Sequence, residues 1–319
     1  MPRKHVMEFE RPLVELEEKL EQLRRIDVSA TPELATEVDS LAREIERLHD
    51  ETYRDLGPWE RVQVSRHPDR PRTDDYVAEL FTDAIELRGD RAHGDDEAMF
   101  AALATLQGRR VAVLGHRKGR DTKENLRRHF GMPHPEGYRK ALRVMRLADR
   151  FGLPLVTFVD TQGAYPGKEA EERGVGWAIA ECLAGLVSLR VPVVSINVGE
   201  GGSGGALAIG FGDRLVMLEN SYYSVITPEA CASILHKDAS QAPLVAGCLA
   251  MTAEDMVRLG LADQVVPEPL GGAHRDAGMV YAGVRKAVTA ALEELTGEER
   301  EALAASRYER LRTIGAFSE

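Results

Sequence analysis

Five of the seven residues in the run Gly199-Glu200-Gly201-Gly202-Ser203-Gly204-Gly205 are glycine. The spacing places this run after an apolar strand over 191–198 and before a short helix that reaches Ile209. Glycine lets a ligand come close to the backbone, and the N–H groups that open a helix have no intrahelical acceptor. Aligned with the helix dipole, such groups hold negative charge. Five glycines exceed what a turn needs, so the run reads as a site for an anion or an oxyanion.

Three chemistries use such a run. Gly199, Gly201 and Gly204 match G-x-G-x-x-G, with Glu219 lying 20 residues beyond Gly199 at a strand end. Against a dinucleotide site, Gly210 and Gly212 leave the next helix about two turns, short of the roughly 10–12 residues of a crossover. Gly201, Ser203 and Gly205 match G-x-S-x-G, the nucleophile elbow of a serine hydrolase. His236 and His274 follow, but no spacing ties either to Ser203, which also reads as a helix cap. The third chemistry needs no nucleophile, because backbone N–H groups alone stabilise a developing enolate or ureido oxyanion.

The elements that must position this run are strand–loop–helix units. Gly152-Leu153-Pro154-Leu155-Val156-Thr157 and Arg190-Val191-Pro192-Val193-Val194-Ser195 stand 38 residues apart, each ahead of a glycine-bearing loop and a helix. The repeat predicts an α/β fold with both loops at one edge of the sheet. Strands are expected over 110–115, 155–159, 215–218 and 222–226, and helices from Pro135, over 169–189, after Pro228, Gln241 and Thr252, and from Gly278. Residues 56–71 read as irregular. Upstream, Phe9, Leu13, Leu16, Leu20 and Leu23 step by four and three, as do Leu34, Val38, Leu41, Ile45 and Leu48. These seams predict a helical hairpin over 1–56, broken near Asp27 and Ser29, with Thr31 capping and Pro32 opening the second helix.

The charge is uneven. With 41 Lys+Arg and 52 Asp+Glu, the 319 residues carry a net charge of −11. Residues 1–56 hold 9 basic and 15 acidic residues, net −6, whereas residues 109–150 hold 13 and 4, net +9. That island is read either as a solvated face or as the landing site of an anionic small molecule, with Lys118 and Arg120 placed just after a strand. Phe130 and Tyr138 are too sparse for a nucleic-acid stacking platform. Hydrophobic residues at 43% and charged residues at 29% exclude a disordered chain. Cys182, Cys231 and Cys248 stand too far apart for a zinc ribbon or a disulfide framework. No apolar run suits a signal peptide or a membrane span, so a cytoplasmic location is expected.

Further motifs narrow the reading. Residues 199–210, Asp160-Thr161-Gln162-Gly163-Ala164-Tyr165-Pro166-Gly167, Glu171-Glu172-Arg173-Gly174 and Gly115-His116-Arg117-Lys118-Gly119-Arg120 together resemble the carboxyltransferase α subunit of bacterial acetyl-CoA carboxylase. Phe130-Gly131-Met132-Pro133, residues 135–141, residues 224–235 and residues 267–275 extend the resemblance over nearly the whole chain, and the hairpin with Leu56-Gly57-Pro58-Trp59 fits it. Gln162 departs from it, standing where the family more often has proline.

The resemblance implies a crotonase-like fold, a superhelix of repeated ββα turns, over 57–296, with a helical tail over 297–319. It implies transfer of a carboxyl group from carboxybiotin, held on a biotin carboxyl carrier protein, to acetyl-CoA. The product would be malonyl-CoA, made in the first committed step of fatty acid synthesis. Biotin is then the cofactor, carried on another protein, and this chain holds no metal. Partners would be a zinc-ribbon β subunit, the carrier protein and biotin carboxylase, with an α2β2 assembly and no membrane. Gly204 and Gly205 are expected to stabilise the ureido oxyanion. Gly163, Ala164, Gly201, Gly202, Ala206, Lys118 and Arg120 are expected to bind substrate. The biotin nitrogen would take the acetyl proton, so no side-chain base is expected. Two alternatives stay open: a crotonase-fold serine hydrolase using Ser203, and a non-catalytic docking subunit.

Overall fold

The computed structural model describes residues 5–25 and 32–315. Helices α1 (Arg11–Arg24) and α2 (Pro32–Arg54) pack on one another as a hairpin. Leu13 and Leu20 of the first seam are buried, whereas Leu34, Val38, Leu41, Ile45 and Leu48 of the second are only half-buried. Asp27, Ser29 and Thr31 lie outside the described residues. A buried polar latch ties the hairpin to the body. The Tyr53 hydroxyl donates to Glu10, and the Arg275 guanidinium reaches Tyr53 at 3.3 Å and Glu10 at 3.5 Å.

The body begins with α3 (Pro58–Ser65) and α4 (Thr73–Leu80), followed by β1 (Thr82–Glu86), β2 (Met99–Leu106) and β3 (Arg109–His116). Next come α5 (Thr122–Arg127), α6 (Pro135–Phe151), β4 (Leu155–Thr161), α7 (Lys168–Glu172), α8 (Val175–Ser188), β5 (Val193–Gly202) and α9 (Ser203–Gly210). The chain continues through β6 (Arg214–Leu218), β7 (Tyr222–Ser224), α10 (Pro228–His236), α11 (Ala242–Ala246), α12 (Ala253–Arg258) and β8 (Gln264–Val266). It closes with α13 (Ala277–Thr296) and α14 (Arg300–Arg312).

Three expectations are corrected. The stretch over 56–71 contains α3, because Pro58 sits in the first turn, where its missing N–H costs nothing. The helix expected over 169–189 breaks at Gly174, whose φ of 77° is left-handed. The glycine run is a strand end rather than a loop: β5 continues to Gly202 and α9 starts at Ser203.

The strands of the described residues form one sheet in the order β1-β2-β3-β4-β5-β6-β8, with β7 pairing to the end of β5 off that path. β1, β2 and β3 pair antiparallel, and β3, β4, β5, β6 and β8 are parallel. The internal repeat sets the central register. Leu155 pairs with Val193, Val156 with Val194 and Thr157 with Ser195, an offset of 38 in each case. Thr157 Oγ1 donates to Ser195 Oγ at 3.0 Å across the pair.

Both faces of these strands are covered, as parallel sheets require. Phe158, Ile196 and Val198 pack with Val280, Val284 and Val288 of α13 on one side. Leu155, Val159 and Val193 pack with α6 and α8 on the other. The repeat thus delivers the C-terminal ends of β3, β4 and β5 to one edge, where ligands of parallel sheets bind.

The C-terminal segment expected as a tail packs into the body. Arg307 of α14 is fully buried and donates to both Asp213 oxygens, at 2.9 and 2.7 Å. It also donates to the carbonyls of Leu186, Leu189 and Val191 at 2.9, 2.6 and 2.9 Å. Arg307→Leu leaves the Asp213 carboxylate buried beside unpaired carbonyls and should cost about 3–5 kcal/mol. Urea denaturation measures this, and an unchanged midpoint would mean that α14 contributes nothing to the body.

Candidate functional site

The ends of β4 and β5 run into segments that touch backbone to backbone. A methyl group on Gly202 would lie 2.1 Å from the Gln162 carbonyl oxygen, and one on Gly205 would lie 2.4 Å from the Gly163 carbonyl carbon. The Asp160 carboxylate crowds Gly199 at 2.5 Å, and Asn197 Nδ2 crowds Gly201 at 2.6 Å. Gly204 differs, since its nearest neighbour would be Ile179 at 3.6 Å. Close packing therefore accounts for the other four glycines of the run, and Gly204 stands open.

α9 starts with no side chain capping it. The N–H groups of Ser203, Gly204 and Gly205 have neither an intrahelical acceptor nor a cap. Ser203 stands at φ 57°, a left-handed conformation that turns the chain sharply from β5 into α9. Ser203 and Gly204 border a cavity of about 530 Å³, whose walls include Leu207, Phe211, Tyr223, Val225, Met256 and Ile314. The site joins backbone donors to an apolar chamber, an arrangement that holds a developing negative charge away from water.

A buried charge cluster lies beneath. Lys118 Nζ bridges Asp160 Oδ1 at 2.6 Å and Glu200 Oε2 at 2.7 Å. Glu200 also accepts from Arg66 Nε at 2.6 Å and from the Tyr222 hydroxyl at 2.8 Å. Burial pushes the Glu200 carboxyl up, but Lys118 and Arg66 overcome that and hold it down to about 2. Burial likewise opposes the charge on Lys118, yet Asp160 and Glu200 raise its pKa. Glu200 is thus held as a carboxylate between two cations, and Arg66 reaches Glu229 as well. A second buried pair, Arg70 and Glu268, is bidentate at 2.8 and 2.5 Å, and Arg70 also holds the Val198 carbonyl of β5 at 2.7 Å.

His116, at the end of β3, is wholly buried. Its Nδ1 accepts from the Asp160 N–H at 3.4 Å and its Nε2 faces the Gly205 carbonyl at 3.2 Å. A carbonyl acceptor facing Nε2 and an N–H donor facing Nδ1 together fit the neutral Nε2–H tautomer. Burial, aided by the Lys118 charge, pushes the imidazole down to about 3, against the pull of the Gly205 and Phe158 backbone groups.

The sequence model of the family described as acetyl co-enzyme A carboxylase carboxyltransferase-like matches residues 6–315. The chain belongs to this family. Among its relatives, the acetyl-coenzyme A carboxylase carboxyl transferase subunit alpha of a Thermus thermophilus strain is 52% identical over 98% of this chain and 99% of its own. That of Geobacillus thermodenitrificans is 50% identical over 98% and 96%. Among solved structures, transcarboxylase 12S aligns with TM-score 0.59 at 19% identity, over 72% of this chain and 42% of that longer one. A Pseudomonas malonate decarboxylase hetero-tetramer in complex with coenzyme A aligns with TM-score 0.56 at 20% identity, over 69% and 89%. These likenesses concern the fold, which is the crotonase-like α/β architecture expected from the sequence.

For this family member the structure brings Gly163, Ala164, Gly201, Gly202, Gly204 and Gly205 together at the two strand ends. Within that group the roles divide. The Gly163 N–H is already donated to Thr161 Oγ1 at 3.1 Å, and Ala206 is buried in the core. Lys118 and Arg120, expected to bind substrate, both form ion pairs within the chain, Lys118 inside the fold and Arg120 at the surface. Lys118 is committed to Asp160 and Glu200, and Arg120 to Asp75. Much of the basic island is answered the same way, with Arg117 on Asp74 and Glu86, Arg139 on Asp90, and Lys140 on Asp95. Among the described residues no histidine bonds Ser203, and both nitrogens of His116 face backbone groups, so the elbow lacks a base. No group of three His, Cys, Asp or Glu among the described residues is arranged to hold a metal ion. No helix of the described residues is long and apolar enough to cross a membrane.

The sequence reading missed His116, Asp160, Glu200, Arg66 and Arg70. Glu200 carried a signal, as a carboxylate inside an otherwise side-chain-poor run, but its partners lie 82 and 134 residues away.

The contrast between the two glycines is testable. Gly205→Ala must force the two segments apart and should destabilise by about 1–3 kcal/mol. Gly204→Ala has room and should stabilise the helix start by roughly 0.5–1 kcal/mol. Thermal melting separates them, and equal shifts would contradict the close backbone contact. A second prediction concerns pH. The unfolded chain protonates His116 near 6.5 and the folded chain only near 3, so its contribution is present above 6.5 and declines as pH falls through that window. The gap in urea midpoint between the unsubstituted protein and His116→Gln should therefore shrink from about pH 7 to about pH 5, and a constant gap would contradict a neutral His116.

Proposed function

We propose that this chain is the carboxyltransferase α subunit that moves a carboxyl group from carboxybiotin, on a carrier protein, to acetyl-CoA, giving malonyl-CoA. Its family and the names of its relatives support that activity. The observation that carries it is the uncapped start of α9, where Ser203 and Gly204 border the apolar cavity.

Biotin has an apolar fused ring and one polar ureido end. The cavity matches that division, with apolar side chains for walls and backbone donors at one rim. Bound there, carboxybiotin would supply the carboxyl group. The N–H groups of Gly204 and Gly205 would hold the negative charge that develops on its ureido oxygen, and the dipole of α9 would add to their effect. His116 and Glu200 supply no base, because one is locked between backbone groups and the other is ion-paired. The contribution of this chain is thus a preorganised electrostatic cradle. A shared site with a β subunit brings the second substrate within about 3–3.5 Å of the first. Large apolar side chains stand exposed on α10 and α11 and beside them, including Val225, Ile234, Leu235 and Leu244, and they suit a subunit interface. An α2β2 assembly with the β subunit, served by the carrier protein and biotin carboxylase, fits this division, and its place is fatty acid synthesis.

The test is labelled carboxyl transfer to acetyl-CoA by the purified chain, before and after adding the β subunit. The chain alone should form no malonyl-CoA, and the pair should. Gly204→Pro removes one donor where a side chain has room and should lower kcat about 10²–10³-fold. Ser203→Ala keeps the N–H and should stay close to the unsubstituted rate. Full activity of the chain alone would refute the shared site, and loss of transfer in Ser203→Ala would favour a serine nucleophile.

A further inference from the structure

The register of β4 and β5 changes just before the site. Val159 still pairs with Asn197, but the next pair is Thr161 with Gly201, so β5 has two extra residues there. Such a bulge leaves residues unpaired and disrupts the ladder locally. Beyond it the Glu200 N–H ties β5 to Asp160 Oδ1 of β4 at 3.1 Å, and two side chains at and just after the end of β3 bridge the same strand ends. The His116 ring stands between the Asp160 N–H at the end of β4 and the Gly205 carbonyl in the first turn of α9. Two residues on, Lys118 bridges the side chains of the same two strand ends, Asp160 and Glu200. Lys118 acts through side chains, which can follow a shift. His116 acts on backbone, and it grips the residue that carries one of the two proposed donors.

We propose that His116 is a positioning residue for carboxyl transfer. Its rigid ring, held as a donor to the Gly205 carbonyl and an acceptor from the Asp160 N–H, fixes the first turn of α9 against β4 and so aims the N–H groups of Gly204 and Gly205. The inference rests on the reading that those N–H groups serve carboxyl transfer. His116 is buried beneath the backbone it holds and is not placed to touch substrate. It therefore acts on the rate of the chemical step and leaves substrate affinity alone. An orientation error of about 1 Å in such a donor set is worth about 10²-fold.

The experiment uses the α–β complex with His116→Leu and His116→Gln. Leucine fills space without hydrogen bonds, whereas the glutamine amide offers one donor and one acceptor at similar reach. His116→Leu should lower kcat about 100-fold with KM for acetyl-CoA and for the carboxybiotin donor within about twofold, and His116→Gln should regain most of that loss. Backbone hydrogen exchange, read on the same proteins, is independent of activity. Exchange over 160–164 and 202–210 should rise together in His116→Leu and return in His116→Gln. Unchanged kcat in His116→Leu, equal losses in the two variants, or exchange that rises in one segment alone would overturn the proposal. Coupled exchange in a complex that transfers no carboxyl group would leave the backbone bridge standing, sink the proposed function, and with it the catalytic purpose of the bridge. Should His116→Leu fail to assemble, His116→Gln decides: near-normal kcat with both segments protected supports the bridge, and a kcat as low as that of Gly204→Pro overturns it.

Discussion

The contact between the ends of β4 and β5 constrains everything else in this protein. At Gly202 and Gly205 the backbone of β5 and α9 lies too close to Gln162 and Gly163 for a Cβ to fit. The contact exists because two apolar strands of matching pattern pair in register 38 residues apart, with both sheet faces covered by helices. It also demands the left-handed turn at Ser203, which lets the chain leave the sheet and start α9 in a single residue. Gly202 and Gly205 answer that crowding, whereas Gly204 stands open at the uncapped helix start.

Crowding brings an electrostatic problem. Asp160 and Glu200 lie beneath a site built to hold negative charge, and two bare carboxylates there would oppose an oxyanion. Lys118 and Arg66 neutralise them at 2.6–2.7 Å, in a buried setting where removing one partner would strand a charge. The +9 island supplies Lys118 to that cluster, and its neighbours Arg117, Arg139 and Lys140 likewise bind carboxylates of the same chain. An excess of charge along the sequence is here mostly a record of pairing in space.

Where local pattern decides structure, the sequence was legible. The repeat predicted the central strands and their shared edge, the seams predicted the hairpin, and the motif set identified the family and the two segments that meet. The misses have physical causes. A strand followed by glycines looks like a strand followed by a loop, although β7 pairs with β5 as far as Gly202 and keeps it extended. The run over 56–71 is rich in Pro and Arg, yet Pro58 opens a helix and Arg66 and Arg70 reach across the fold to Glu200 and Glu268. His116 looked like one residue of a basic motif, and its role depends on groups 44 and 89 residues away. The sequence carried no sign of the partners of Lys118 and Arg120, because Asp160, Glu200 and Asp75 reach them only through tertiary contacts.

The central claim is that backbone donors at the start of α9 hold the ureido oxygen of biotin. A crystal structure of the α–β complex soaked with free biotin tests it most directly. The account predicts the ring inside the apolar cavity, with its ureido oxygen about 2.7–3.1 Å from the N–H groups of Gly204 and Gly205. A ring bound elsewhere, or a ureido oxygen held by Ser203 Oγ or by a side chain of the basic island instead, would contradict it.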